Sequence, residues 1–474
     1  MDPRQPYPVK LLGEDFVAWK EPKTGEWKAF VDRCPHRWAP LSEGRVDQQT
    51  GRLQCVYHGW EFEGDGRCAS IPQANERIRG NAQASPRACV AVLPTKIVQG
   101  KLWLWPDGSP EGVEESKLSD PAIVEEIDRE GFDGTWYVRD LPYGYDTLVE
   151  NLADPAHVPF AHHGVIVPRA FGSIPMDIVM ERGLGADELR TKPTGYLGRR
   201  NLVVGFKAPS LIYYQTDYTE VFRKPPKSAS GPIRALTGVM KTLRIGARAP
   251  EEREDKTGPS DPILAYVVAY AVPTIPGRCR IFTRTARNFT PGGWKSIFSR
   301  WRNSVAREHL NQHLVLDGDS CLLYRQERML LEAGKHGSAD IERIFYMPTD
   351  TDTPVRAFRN WFFKRAGGSP AWAEGVDPSA LGPVLPHDQV LERYESHTKQ
   401  CSACSRAYEV LNKVKVVSIG GAVVALAAAA VVPRGALAIC LAGTALGSSG
   451  LALNMARRAQ QFVHVDYVHA TRDG

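Results

Sequence analysis

The 474-residue chain is poor in cysteine, with 9, and in methionine, with 7, and its 59 Lys+Arg barely outnumber its 54 Asp+Glu. Nine unevenly placed cysteines do not form the regular framework of a small secreted disulfide scaffold. A formal net charge of +5 over this length is too thin a field to select nucleic acid, and that partner class is excluded. The opening MDPRQPYPVKLLGEDFVAWK has no apolar core and no cleavage pattern, so it is not a secretory signal. It also lacks the Ser/Arg-rich, acid-poor character of an organelle transit peptide. No repeat of fixed period runs through the chain. What is present is 43% hydrophobic residues against 24% charged, enough for two or three packed domains and too apolar for a disordered chain.

Long uncharged runs do occur, and only near the carboxyl end. Val416 to Val432 carries no charge, and after Pro433-Arg434-Gly435 the chain is uncharged again to Ala456. Each run approaches the ~20 residues that cross a bilayer core. Lys413 and Lys415 precede the pair, while Arg457 and Arg458 follow it. A helical hairpin would put all four cations on one, cytoplasmic-type face. Gly443, Gly447 and Gly450, with Ser448 and Ser449, suggest close helix contact. The competing reading is a soluble Ala-rich hairpin, with Arg434 at its turn.

Upstream, residues from about 10 to 110 read as short strands separated by Gly-containing turns. Lys117 to Asp133 is acidic and reads as a linker. Asp146 to His163 has helical character broken by Pro155 and Pro159. Strand-like alternation follows in LRTKPTGYLGRRNLVVGFKAP, SLIYYQTDYTEVF, ILAYVVAYAVP and CRIFTRTARNF. EEREDKTG reads as a solvated loop, and Lys295 to Leu331 as a long helical region.

Two short Cys/His pairs carry the first chemistry. Cys34-x-His36 is followed, eighteen residues on, by Cys55-x-x-His58. Zinc accepts two thiolates and two imidazoles. Zinc-finger order, however, puts both thiolates on one loop, and here each loop offers one of each. That mixed order suits a [2Fe–2S] centre in which one iron holds both thiolates and the other both imidazoles. Gly44, Gly51 and Gly59 in the same loops allow backbone N–H groups to approach sulfide.

The stretches CPHRWAPLSEGRVD and LQCVYHGWEFEGDGRCASIPQA resemble the Rieske domain of the pheophorbide a oxygenase-like family of chloroplast Rieske non-haem iron oxygenases. Relatives of that family include inner-envelope translocon components and chlorophyllide a oxygenase. The resemblance implies an α+β fold: an N-terminal all-β Rieske domain (1–115), a helix-grip, START-like mononuclear-iron catalytic domain (116–390), a Cys-x-x-Cys segment (391–412), a hydrophobic hairpin (413–458) and a tail (459–474). At the amino end the family's aromatic-proline entry segment is shortened or missing, which puts the first strand in question.

ENLADPAHVPFAHHG supplies the second constellation, Asp154-x-x-His157-x-x-x-x-His162. Two imidazoles and one carboxylate make the facial triad of non-haem Fe(II) oxygenases, which leaves positions open for O2 and substrate. The resemblance assigns His157 and His162 to iron. It makes Asp154 the link between a cluster histidine of a neighbouring subunit and an iron histidine, and puts Asn151 beside the metal. In LVLDGDSCLLYRQERM it points to Asp319, seven residues before Gln326, as third ligand, with Asp317 as competitor. His163 reads as a spare imidazole. His309 and His313, at i and i+4, read as a helix face.

Cys401-x-x-Cys404 precedes the first apolar run. Such a pair can form a disulfide, hold half a metal site or exchange with thioredoxin, and His397 stands nearby. The resemblance, which extends to the terminal FVHVDYVHATRD, favours a redox switch at Cys401 and Cys404. Taken whole, it implies a ferredoxin-dependent enzyme carrying a Rieske [2Fe–2S] cluster and a mononuclear Fe(II). Its substrates would be O2 and a hydrophobic chlorophyll-derived tetrapyrrole, with pheophorbide a opened to red chlorophyll catabolite. It also implies a homotrimer anchored in a chloroplast membrane, thylakoid or inner envelope, with catalytic domains on the stromal side. The alternatives are a phyllobilin hydroxylase, a protochlorophyllide oxidase, or a membrane redox sensor without turnover.

Overall fold

The computed structural model describes residues 4–173, 175–183, 188–194, 201–219, 262–289, 304–335 and 341–469. The EEREDKTG segment, residues 295–303 of the expected helical region and the last residues of the tail lie outside them. Two compact units are present. One comprises Met1–Asp128 with Val272–Pro276 and Ser369–Ala380; the other comprises Arg129–Ala271, Gly277–Gly368 and Leu381–Gly474.

The first unit is built of β1 (Tyr7–Leu11), β2 (Glu14–Lys20), β3 (Trp27–Val31), β4 (Arg45–Val46), β5 (Leu53–Gln54), β6 (Glu61–Phe62), β7 (Cys68–Ser70), β8 (Val92–Leu93), β9 (Thr95–Val98) and β10 (Lys101–Leu104). The order β1-β2-β3-β8 makes one antiparallel sheet, and β4-β5-β6-β7 a second, smaller one. Strands this short cannot hold together on ladder hydrogen bonds alone, and the core between them supplies the difference. Trp19, Phe30, Leu41, Leu53 and Phe62 are fully buried there, with Trp19 set edge-on to Phe30 at 4.5 Å. Helices α1 (Glu76–Ala84) and α2 (Pro110–Leu118) carry Asn75 and Ser109 as N-caps. The expected linker thus begins with the end of α2.

In the second unit a seven-stranded sheet runs in the order β11-β17-β16-β15-β14-β13-β12. Its strands are β11 (Trp136–Leu141), β12 (Ile178–Arg182), β13 (Glu188–Pro193), β14 (Leu202–Lys207), β15 (Leu211–Asp217), β16 (Leu264–Ile275) and β17 (Arg278–Arg287). β11 alternates half-buried and buried positions, so Tyr137, Arg139 and Leu141 all point inward. The aromatic SLIYYQTDY is the β15 strand, with Tyr213 buried. Against the sheet lie α3 (Tyr145–Ala153), the one-turn α4 (Val158–Ala161), the 28-residue α5 (Val305–Glu332) and α6 (Thr353–Lys364). Phe206, Phe358, Trp361 and Phe362 meet in the core between them.

An inward-facing arginine on a core strand needs a counter-charge, and the sequence provides one. Asp317 on α5 is fully buried and accepts from Arg139 Nη1 at 2.6 Å and from Arg393 Nη2 at 2.5 Å. Arg393 Nη1 also donates to Gln461 O at 2.7 Å, and Thr398 Oγ1 to Phe462 O. These bonds hold the chain entering and leaving the apolar hairpin side by side.

The hairpin itself is α7 (Ser402–Val431) and α8 (Ala436–Gln460), longer than expected at 30 and 25 residues. At 1.5 Å per residue these rise ~45 and ~37 Å, enough to cross hydrocarbon. Contact runs along Ala422 and Ala425 on one helix and Ala445, Ala452 and Ala459 on the other. The glycines expected at the seam, Gly443, Gly447 and Gly450, face open space instead; only Gly421 lies close to a small partner, Ser448. Small alanines at seven-residue spacing already let the helices approach, so glycine is not needed. The outward faces are apolar: Val417, Val424, Ile439 and Leu446 are each more than two-thirds exposed. That is the reverse of a soluble hairpin.

Candidate metal centres

The two Cys/His loops of the first unit fold alike. In the first, Cys34 N–H donates to Ala39 O and Trp38 N–H to Cys34 O; in the second, Cys55 N–H donates to Trp60 O and Gly59 N–H to Cys55 O. The fourth step of each loop has a positive φ, +70° at Gly59 and +62° at Trp38. This repeated turn sorts the mixed sequence order. Cys34 and Cys55 are both buried and their thiols interact, while the His36 and His58 rings meet at 4.5 Å. His36 also stacks on Trp60 at 4.8 Å and 8°. Burial pushes the Cys34 thiol up to about 12, so a cation is required to make it a thiolate at neutral pH. A thiol pair on one side and an imidazole pair on the other fit a cluster with unlike irons. Gly44 has a packing role, since a Cβ there would lie 2.2 Å from Gln54 O, and Gly51 closes the β4–β5 turn.

In the second unit the described residues include two sets of at least three donors converging within 4.8 Å. One is His157, His162 and Asp319. On a continuous helix, residues five apart sit ~140° apart around the axis and cannot face one metal. The break after α3 solves this: His157 is the N-cap of α4 and His162 its C-cap, with Pro159 between. Asp154 makes the break, ending α3 and accepting Ala156 N–H at 2.7 Å through Oδ1. The helical stretch expected here, broken by its prolines, is thus two short helices, with Asp154 at the end of the first and His157 and His162 at the two ends of the second.

His157 Nε2 lies 3.3 Å from His162 Nε2, and Asp319 presents Oδ2 3.3 Å from His162 Nε2 and Oδ1 3.9 Å from His157 Nε2. These separations approach the ~3 Å edges of an octahedral face around a metal with ~2.1 Å bonds. The opposite ring nitrogen of His157, Nδ1, faces Asp154 Oδ2 at 3.7 Å, the carboxylate–histidine–metal order found behind many metal ligands. Burial draws His157 toward the neutral form, but Asp154 and the charge of Asp319 prevail and raise it above its ordinary value. Two carboxylates thus face the imidazole pair, an electrostatic setting that a dication fits. Asn151 Nδ2 stands 3.5 Å from His157 Nε2. His163 turns away and accepts Arg169 N–H at 2.8 Å. Asp317, two residues from Asp319, is held between its two arginines.

The tail beyond the hairpin returns to this site, a contact that sequence spacing did not reveal. Tyr467 Oη donates to Ala161 O at 3.2 Å, and His469 Nε2 donates to Gly318 O at 2.9 Å. Both carbonyls adjoin members of the converging set, His162 and Asp319.

The second converging set is His309, His397, Cys401 and Cys404. His309 and His313 are buried, so they do not form an outer helix face; both pack near Tyr137. The cysteines are free thiols.

Comparison with known proteins gives two family-model matches, a Rieske [2Fe-2S] domain over residues 1–94 and pheophorbide a oxygenase over residues 240–336. A chloroplastic pheophorbide a oxygenase of Oryza sativa is 37% identical across 100% of this chain and 83% of its own length. The chain belongs to the pheophorbide a oxygenase family. Other members of similar identity differ in name: a chloroplastic flavonoid 8-hydroxylase of Ocimum basilicum is 36% identical over 88% of this chain and 73% of its own length. A protochlorophyllide-dependent translocon component of Arabidopsis thaliana is 34% identical over 88% and 73%. Among solved structures, dicamba monooxygenase superposes with a TM-score of 0.53 over 76% of this chain and 92% of its own, at 20% identity, and shares the fold. Membership makes the chain an oxidoreductase of the Rieske oxygenase class, with a [2Fe–2S] cluster and a mononuclear iron as its cofactors.

Proposed function

We propose that this chain is a ferredoxin-dependent monooxygenase that oxygenates a chlorophyll-derived tetrapyrrole, with pheophorbide a, opened to red chlorophyll catabolite, as the first candidate. The observation that carries the reaction class is the convergence of His157, His162 and Asp319 on one point, in a chain that also pairs two thiols with two imidazoles. A pure electron carrier has no use for an open three-donor site, which disfavours the redox-sensor reading. The substrate proposal is supported by similarity along the whole of this chain to the Oryza sativa pheophorbide a oxygenase and by a hairpin apolar enough to reach lipophilic pigment.

In this reading Cys34 and Cys55 hold one cluster iron and His36 and His58 the other, while His157, His162 and Asp319 hold the mononuclear ion. When bound, the cluster supplies single electrons and the mononuclear iron binds and activates O2. Asp154 orients the His157 ring through Nδ1 and offers its carboxylate to a cluster histidine of a neighbouring subunit in a trimer, giving a polar link for charge transfer. Asn151 lines the open side beside His157. The hairpin anchors the protein in a chloroplast membrane, with Lys413, Lys415, Arg457 and Arg458 and the catalytic units on the stromal side.

The test is to incubate reconstituted protein with reduced ferredoxin, 18O2 and a panel of tetrapyrroles plus a flavone. Label in a ring-opened tetrapyrrole supports the proposal. Label only in the flavone would replace it with the reading favoured by the similarity to flavonoid 8-hydroxylase. His157→Ala is expected to abolish product while leaving the optical and EPR signals of the cluster intact. Loss of both would overturn the division into two sites.

A further inference from the structure

The four residues His309, His397, Cys401 and Cys404 come from three separate segments. His309 lies on α5, His397 on a π-helical turn (Tyr394–Thr398), Cys401 is the N-cap of α7 and Cys404 sits in its first turn. His309 Nδ1 is 3.2 Å from His397 Nε2, 3.4 Å from Cys401 Sγ and 3.5 Å from Cys404 Sγ, and His397 Nε2 is 3.3 Å from Cys404 Sγ. All four donor atoms lie within 4.8 Å of one another. A tetrahedral ion with ~2.3 Å bonds to sulfur and ~2.0–2.1 Å to nitrogen sets its ligands ~3.3–3.8 Å apart. The observed spacings agree to a few tenths of an ångström.

Hydrogen bonding alone does not account for this arrangement. An imidazole nitrogen has either one proton or one lone pair, yet His309 Nδ1 faces three polar atoms at once. The tautomer of His397 is decided by its other side. Nδ1 lies 2.6 Å from Val138 O, a carbonyl that can only accept, so Nδ1 carries a proton and in the neutral ring Nε2 turns its lone pair into the cluster. That backbone-carbonyl partner is what orients metal-binding histidines elsewhere. His309, His397 and Cys404 are almost wholly buried, and the Tyr137 ring stacks on His397 at 4.5 Å.

We propose that His309, His397, Cys401 and Cys404 bind a structural zinc ion that fastens the foot of the apolar hairpin to the helix carrying Asp319. Two thiolates and two neutral imidazoles balance a dication, and this donor set is the soft, closed one zinc prefers. All four positions are taken by protein, so the site leaves no vacancy for substrate. The ion is separate from both iron centres and uses the Cys-x-x-Cys as ligands rather than as an exchanging dithiol. His309 precedes Asp319 by ten residues on one helix, ~15 Å along its axis. The clamp therefore sets where α5 lies against the entry to the hairpin.

The test is elemental analysis of purified full-length protein, with the cluster quantified separately by EPR. The expected result is one zinc per chain beside three irons. Cys404→Ser should reduce zinc at least tenfold while iron and the cluster spectrum are kept. His309→Ala should lose zinc, whereas His309→Cys, which restores a thiolate donor, should retain it. Cobalt substitution of the wild type should give visible bands of tetrahedral cobalt with a sulfur-to-metal charge-transfer band. Wild-type protein with three irons and no further metal, or a Cys401–Cys404 disulfide in protein isolated under reducing conditions, overturns the proposal, and the wild-type count stands even if every variant fails to fold.

Discussion

Asp317 and Asp319 differ by two positions on one helix, and their predicted defects are opposite. Asp317 and its partners Arg139 and Arg393 are each at most 1% exposed, with contacts of 2.6 Å and 2.5 Å. Asp317→Asn keeps the shape but leaves two buried guanidinium groups without a counter-charge. Breaking a buried ion pair from one side costs about 3–5 kcal/mol, and two stranded cations place this case at the upper end. At roughly 2–4 °C per kcal/mol for domains of this order, the melting temperature should fall by on the order of ten degrees. Asp319→Asn should leave the melting temperature within a few degrees but strip the mononuclear iron. Thermal unfolding followed by tryptophan fluorescence, with iron counted in the folded fraction, separates the two. If Asp317→Asn keeps wild-type stability and loses iron, the roles are exchanged and the argument from the arginine pair fails.

Two further substitutions test the packing around each centre. A Cβ at Gly318 would lie 3.1 Å from Ala161 O and Tyr467 Oη and 3.2 Å from His162 Nδ1. Gly318→Ala should therefore displace His162 and lower mononuclear iron occupancy severalfold, with an unchanged cluster EPR spectrum; full iron retention would refute this. At Gly44 the obstruction is backbone, 2.2 Å from Gln54 O, and cannot rotate away. Gly44→Ala should cost about 3 kcal/mol by overpacking and bleach the cluster absorbance while the mononuclear site still binds iron.

The cluster loops were legible in the sequence because all their chemistry is local: two six-residue turns carry the ligands and their own hydrogen bonds. The sorting of thiols from imidazoles, expected from the mixed Cys/His order, comes about when the β3-to-β4 and β5-to-β6 loops stack in three dimensions. His157 and His162 were recognisable as residue types. Their geometry depends on Asp154 ending one helix and Pro159 starting the next, a break that Pro155 and Pro159 marked in the sequence while leaving the placement of the two rings open. His309 looked like half of an i, i+4 pair because its other neighbours, His397 and Cys404, are 88 and 95 residues downstream. The His397-x-x-x-Cys401-x-x-Cys404 spacing signals three donors, but nothing local to it names the fourth. Arg139 illustrates the same limit: alternation along β11 marks it as inward, while its partner Asp317 lies 178 residues away.

The contacts of Tyr467 and His469 impose a temporal order on maturation. The segment that braces the carbonyls beside His162 and Asp319 is translated only after both apolar helices. A nascent chain that has already folded its sheet still lacks this brace until the hairpin has turned back on itself. Whatever support those two contacts lend to the positions of His162 and Asp319 is therefore the last to be put in place.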